Sequence, residues 1–417
     1  MRTIIEDLSL LLGPEFNLVK SGFIGIQDGI ITAIGEGAPP VCSGDAEIAL
    51  SASGLLAIPG LVDAHVHMGD SFAKDVGIGA SLNELVHPIY GLKTKLLNDA
   101  QEGSIRRAIA STSRDMISSG VTTFADFREG GIAGVRLELR ALMESKQRAL
   151  ILGRPNRHFH PTEVVRDTAL SAETMSELNE MVQLCAGVGL SGPNEYTAYA
   201  LKQISELMKS KGKLSAIHAA ESAEGQKFSF ESFSISEAGR ALRYLNPDFV
   251  VHFTHSTNED IGDFSRANIP VVCCPRANSI LGLGFPPILE LLEANVTVAL
   301  GTDNIMLNAP DMFREMDYTS RSLRAIRQDP AAVSSKQVFR MATLNGARAL
   351  GLGSKVGSLE MGKCADIVFL NLNSSNLRFS QDLLGSIVHR ARPEDVECVM
   401  VNGEVVHGSI THAPTLA

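Results

Sequence analysis

No stretch of this 417-residue chain stays apolar for the length of a membrane span. The opening Met1-Arg2-Thr3-Ile4-Ile5-Glu6-Asp7 puts acids where a signal peptide carries its apolar run. Six cysteines contain no C-x-x-C pair, and Cys273 and Cys274 adjoin inside an apolar run. That pattern suits buried free thiols in a reducing cytosol and excludes a disulfide framework or a thiolate zinc site. A basic face is missing too: the net charge is −10, which argues against a nucleic-acid partner. No long run of one charge sign offers an interaction tail, and there is no fixed-period repeat or low-complexity tract. These absences leave a soluble, cytoplasmic, globular protein acting on a small molecule. A homo-oligomer is expected only because most soluble assemblies are symmetric homomers.

With 44% hydrophobic residues, the chain can bury one large core, alone or beside a small one. Its organising stretch is Ile58-Pro59-Gly60-Leu61-Val62-Asp63-Ala64-His65-Val66-His67, read as a buried parallel strand after a Pro-Gly break. Period-two geometry sends His65 and His67 to one face, within reach of a single metal ion. A lone His-x-His is matched by chance often enough that local packing explains it equally well.

Further strands are expected at Val121–Phe127, Ala149–Pro155, Val188–Pro193, Leu214–Glu221, Phe249–His255, Ile269–Pro275 and Val296–Asp303. Helices are expected between them, including Thr174–Ala186, Ala198–Lys211, Ser236–Leu245, Asn258–Asn268 and Ile288–Ala294, with Thr257 and Asp260 forming a capping box. Eight strands alternating with helices over residues 58–355 predict an α/β fold of the (β/α)8 TIM-barrel type. An open doubly wound sheet is the competing architecture, but no G-x-G-x-x-G turn follows any strand. Ser334–Leu350 reads as one more helix. Residues 1–57 and 356–417 carry hairpin signals at Asp28-Gly29 and Asn402-Gly403, so both chain ends are expected to build one small β-sandwich.

Chemistry in such barrels sits at the C-terminal strand ends. His65 and His67 end the first strand, His218 the fifth, His252 the sixth and Asp303 the eighth. One of these alone would be packing; five at one mouth are not. His65, His67 and His218 with Asp303 suit a single first-row divalent ion with one position open for water. Zinc fits, and iron or manganese fits nearly as well. Such an ion makes hydroxide available near neutral pH. Glu221, three residues past His218, is the candidate acid–base group, and His252 a group that holds the water or stabilises developing charge.

The chain resembles the amidohydrolase superfamily over essentially its whole length. The resemblance rests on Pro59-Gly60-Leu61-Val62-Asp63-Ala64-His65-Val66-His67, His218-Ala219-Ala220-Glu221, His252, Gly301-Thr302-Asp303 and the segment from Gly357 to Val368. His218-x-x-Glu221 and Cys274-Pro275-Arg276-Ala277-Asn278 are similar to the branch of cytosine, guanine and adenosine-type deaminases and triazine hydrolases. No lysine stands on the fourth strand, so one metal is implied rather than two. The resemblance implies that Asp303 accepts the water proton, Glu221 carries a proton to a ring nitrogen, and ammonia leaves. The loop from Met68 to Gly77 is unlike the usual nucleoside-deaminase loop, which leaves the substrate open.

Arg128, Arg154, Asn156, His158, Asn194, His255, Arg276, Asn278 and Asn304 follow strand ends and are candidate substrate contacts, able to hydrogen-bond a heterocycle or clamp a carboxylate. For any one of them, loop solvation or an internal ion pair is the commoner explanation. His255 would equally cap the following helix, and His87, in the long first loop, reads as an exposed loop histidine before it reads as part of a lid. The expected function is deamination of an amino-substituted purine, pyrimidine or pterin-type heterocycle. The alternatives are hydrolysis of a cyclic amide, an imidazolone or another ring substituent on the same scaffold, and a non-catalytic assembly protein.

Overall fold

A computed structural model describes residues 2–39 and 47–412. Parallel strands Leu61–His67 (β1), Val121–Arg128 (β2), Arg148–Gly153 (β3), Gly187–Leu190 (β4), Leu214–Ala219 (β5), Phe249–His252 (β6) and Val271–Cys273 (β7) run in sequence order. The eighth, β8, comes in two pieces, Val298–Leu300 and Asp303–Asn304. The first piece pairs with β7, and the second closes the ring by pairing Asp303 with Val66 and Asn304 with His67. The strands are buried on both faces, which is why they read as continuous apolar runs. Small and branched side chains such as Val62, Ala64, Ala125, Ala216, Val251, Val272 and Ala299 form one packed cluster. Ile151, Val188, Ile217, Val250 and Val271 pack instead with helix residues including Ile109, Met181 and Ile204.

The strand expected from Ile58 changes sheets at Gly60. Leu55–Pro59 pairs antiparallel with Ile367–Asn371 in a second, mixed sheet, and only Leu61–His67 belongs to the barrel. Gly60 is where the two sheets meet: a Cβ there would lie 2.1 Å from Thr122 Oγ1, and its N–H donates to Asp366 O at 2.9 Å. The mixed sheet runs Glu404–Gly408, Val396–Val401, Ile367–Asn371, Leu55–Pro59, Arg2–Leu12, Asn17–Gln27, Ile30–Glu36, so both chain ends build it. Its own core gathers Ile5, Leu10, Ile24, Ile26, Ala57, Phe369 and Met400. Asp28-Gly29 and Asn402-Gly403 make the two-residue hairpin turns, each with positive φ at both positions, as a type I′ turn requires.

Two helix expectations need correction. Ser334–Leu350 is broken into Ser335–Met341 and Leu344–Ala349, because the Ala342 carbonyl accepts the Val62 N–H of β1 (2.9 Å) instead of a helical one and Thr343 leaves helical geometry. Ser236–Leu245 is a short α-turn, Glu237–Arg240, followed by a π-turn, Ala241–Leu245. Asn258–Ala267 forms as expected, with Thr257 and Asp260 reciprocally capping it. No helix among the described residues is long and apolar enough to cross a membrane.

The long connection after β1 holds three short helices, Met68–Ala73, Leu82–Val86 and Leu92–Asp99. Leu85 packs with Met306 and Leu307, and Val86, Leu92 and Leu96 flank that small cluster. The connection is thereby fastened across the C-terminal mouth of the barrel.

Candidate metal centre

His65, His67, His218, His252 and Asp303 converge at one point. His65, His67 and Asp303 form one set with donor atoms within 4.8 Å of one another; His65, His218 and His252 form a second; Glu221, His252 and Asp303 form a third. Asp303 Oδ1 lies 3.2 Å from His65 Nε2 and 3.5 Å from His67 Nε2. The backbone presents these groups at a local cost: Ala220, His252, Phe253 and Asp303 are all non-glycine residues with positive φ. Such conformations cost about 1–3 kcal/mol each and persist only where surrounding bonds over-determine them. Here Phe253 N–H donates to Ala219 O at 3.0 Å and His255 N–H to Ala220 O at 2.7 Å.

Carbonyl partners fix the tautomers of two rings. His67 Nδ1 lies 3.0 Å from Phe127 O and His218 Nδ1 lies 2.7 Å from Leu190 O. A carbonyl only accepts, so each Nδ1 carries the proton and each Nε2 lone pair is free for a metal. His252 is oriented the other way. Asn278 Nδ2 donates to His252 Nδ1 at 3.2 Å, leaving an Nε2–H that faces Glu221 Oε1 at 3.5 Å. Burial holds the His65 imidazole down to about 3 and lowers His218 and His252 as well, so all three are neutral, as ligands or donors must be. Burial by itself would raise Asp303, but the hydrogen bond with His65 holds it below the usual carboxylate range. Glu221 goes the opposite way: burial, helped by the charge of Asp303, pushes it up to about 8. The set of imidazole nitrogens and one carboxylate oxygen fits a borderline divalent ion.

Two residues that sequence reasoning left without a role, Asp63 and Asp70, hold this centre together with Glu129, a strand-end residue that reads as a pocket candidate. Asp63 accepts from Thr302 N–H (3.0 Å), Thr302 Oγ1–H (2.5 Å) and His65 N–H (3.4 Å), tying β1 to the turn before Asp303. Glu129 Oε1 lies 3.0 Å from His67 Nδ1 and 3.0 Å from Arg154 Nη2. Asp70 Oδ2 accepts from Asn304 Nδ2 at 3.0 Å. Their sequence signals are an acid inside the opening strand, an acid one residue past β2 and an acid three residues past His67.

The site opens into a cavity of about 80 Å³ lined by His67, His218, Glu221, His252, Asp303 and Asn304, with Arg154, Ser191 and Glu195 on the wall and Leu82, Asn83, Val86, His87, Pro88 and Lys93 from the connection after β1. Of the expected substrate contacts, Arg154 and Asn304 face this space. Arg128, Asn156 and His158 line a separate cavity of about 620 Å³ that shares Pro88 and Arg154 with it. Asn278 is behind the site, against His252. The side chains of three others are occupied elsewhere. Asn194 binds Arg240 Nη1 and Gly225 O, both at 2.9 Å; His255 Nε2 binds Leu283 O at 2.8 Å; and Arg276 binds Ala309 O at 3.2 Å.

A closed eight-stranded barrel with a small β domain from both chain ends and a His/Asp centre at its mouth defines a metal-dependent hydrolase class. The chain belongs to the amidohydrolase family, whose model matches residues 56–406. A putative aminohydrolase of Methanothermobacter thermautotrophicus is 35% identical over 408 residues, covering 97% of this chain and 98% of that protein. A 5-methylthioadenosine/S-adenosylhomocysteine deaminase of Moorella thermoacetica is 29% identical, covering 97% of this chain and 94% of the other. Among solved structures, a zinc-bound adenosine deaminase of Xanthomonas campestris superposes with a TM-score of 0.80 at 22% identity, covering 97% of this chain and 92% of that one.

Proposed function

We propose that this protein is a mononuclear, zinc-dependent aminohydrolase that releases ammonia from an amino-substituted nitrogen heterocycle. One observation carries the reading. Two carboxyls facing the same small cavity are pushed in opposite directions, Asp303 ionised and Glu221 protonated near neutral pH. Paired groups held apart in this way are how one site supplies both a base and an acid.

His65, His67 and His218 through Nε2, with Asp303, would hold the ion, which supplies polarisation of water and hydroxide near neutral pH. Asp303 accepts the proton of the attacking water. Glu221 donates its proton to the ring nitrogen next to the carbon under attack. The His252 Nε2–H, kept in place by Asn278, stabilises the negative charge that develops on the attacking oxygen. Proton return to the exocyclic nitrogen lets it leave as ammonia. Arg154 and Asn304, which line the cavity, would bind the rest of the heterocycle through the donors and acceptors that Glu129 and Asp70 leave free. The absence of lysine on Gly187–Leu190 favours one ion over a bridged pair. Five described cysteines, all unpaired thiols, support a reducing cytoplasm.

The test is a panel of aminopurines, aminopyrimidines, aminopterins and cyclic amides, read in parallel for ammonia and for ring absorbance. Ammonia release that falls about 10²- to 10⁴-fold in Glu221→Gln supports the reading. Ring opening without ammonia would replace it with cyclic-amide hydrolysis.

A further inference from the structure

Lys93 belongs to the lid helix Leu92–Asp99, yet its side chain is only 5% exposed. Lysine is almost never buried so completely unless its charge is paired. Its ammonium lies 2.6 Å from Glu129 Oε1 and 3.3 Å from Asp70 Oδ2. Those two carboxylates lead to opposite sides of the metal centre. Glu129 Oε1 is the oxygen 3.0 Å from His67 Nδ1 on β1. Asp70 accepts from Asn304 Nδ2 (3.0 Å), the residue after Asp303 on β8, and from Met306 N–H (3.0 Å). One cation carried by this connection thus sits between an acid in contact with the His67 ring and an acid bonded to the strand that carries Asp303. Arg154 also touches Glu129, but Asp70 has no second cation within ion-pair distance among the described residues.

We propose that Lys93 is a positioning residue that couples lid closure to metal affinity. With the lid down, Lys93 draws Glu129 and Asp70 into place, so His67 and Asp303 present their donor atoms together. With the lid up, Asp70 loses its counter-charge and Glu129 one of its partners, and the centre slackens. This rests on the metal-site reading above and adds that the lid is part of the metal site. Coupling of this kind is reciprocal: if closure tightens the metal, the metal must also favour closure.

Two measurements test it. Zinc affinity, read by competition with a chromophoric chelator, should weaken about 10- to 100-fold in Lys93→Met and in Glu129→Gln, the range seen when groups that orient metal ligands are removed. Lys95→Met, on the exposed side of the same helix, should bind zinc like the wild type. Hydrogen exchange of residues 82–99 in the wild-type protein, metal-free against zinc-loaded, needs no variant and should show slower exchange with zinc. Wild-type zinc affinity in Lys93→Met, even with a raised KM for substrate, would overturn the proposal and make Lys93 a substrate contact. Identical lid exchange with and without zinc would also overturn it. Both results leave the metal reading standing, whereas failure of the wild type to bind zinc would remove both.

Discussion

Gly301 is the point where β8 passes β1, and the Gly301→Ala variant probes how finely the centre is set. A Cβ on Gly301 would lie 2.8 Å from His65 Cβ, 2.8 Å from His65 O and 2.9 Å from His65 N. Carbon contacts settle at about 3.5–4.0 Å, so β8 and β1 must separate by roughly 0.7–1 Å to accept one methyl group. Two of the three obstructing atoms are backbone, which cannot rotate away. Forcing that separation costs about 1–3 kcal/mol as overpacking. The same displacement acts on Asp303, two residues on, whose Oδ1 lies 3.2 Å from His65 Nε2. Misplacement of about 1 Å lowers a rate about 10²-fold, or ~2.7 kcal/mol in the barrier. The variant should fold, show lower urea resistance and lose about two orders of magnitude in kcat/KM on the best heterocycle. Gly262→Ala is the control, since its Cβ meets only the mobile end of Arg266 at 3.3 Å. Wild-type kcat/KM in Gly301→Ala would refute the idea that the β1–β8 spacing sets the chemistry.

Asn278→Leu frees the His252 ring, and Asn278→Asp favours the opposite tautomer by accepting from Nδ1. Both should lower kcat about 10-fold or more, with the Asp variant worse, and equal kcat in all three proteins would exclude a donor role for His252 Nε2–H. Stripping metal with a chelator should abolish activity and lower the melting temperature. Restoring zinc to 100 times its Kd should return about 2.7 kcal/mol of stability, measured by thermal melts across a zinc titration. Glu237, which accepts the Ala220 N–H at 3.0 Å, gives a pH test on a group outside the proposed ligand set. Burial, with Glu195 nearby, pushes its carboxyl from 4.5 up to about 8. Its stabilising effect is therefore complete below pH 4.5 and is lost as pH rises towards 8. Glu237→Gln should be the more stable protein at pH 8.5 relative to pH 5, by at most about 1.4 kcal/mol per pH unit crossed. Parallel stability–pH curves would show that Glu237 is ionised throughout.

The residues that converge at the candidate centre were legible because a short buried strand leaves little choice. His65, His67, His218 and His252 end apolar runs, and polar groups that end such runs in a barrel must emerge at the same mouth. The groups that hold them were not legible. Lys93 is 36 residues from Glu129 and 23 from Asp70, in a connection without a repeating apolar pattern, and nothing local announces a buried ion pair. The substrate candidates show the opposite difficulty. Arg276 and Arg154 look alike as an arginine just past a strand, yet one supports the Ala309 carbonyl and the other faces the cavity. Gly60 hid a change of sheet inside one extended run, because alternation and burial are continuous on both sides of it.

That junction has a consequence for biogenesis. The strand leading into His65 and His67 is paired through Ile58 with Val368 and through Leu56 with Leu370. The anchor for the N-terminal edge of the barrel is therefore encoded roughly 300 residues later, about 15–60 s of translation at ordinary elongation rates. Until then the nascent chain holds Leu55–Pro59 with one edge unpaired, so the junction between the two sheets closes only after the C-terminal strands emerge.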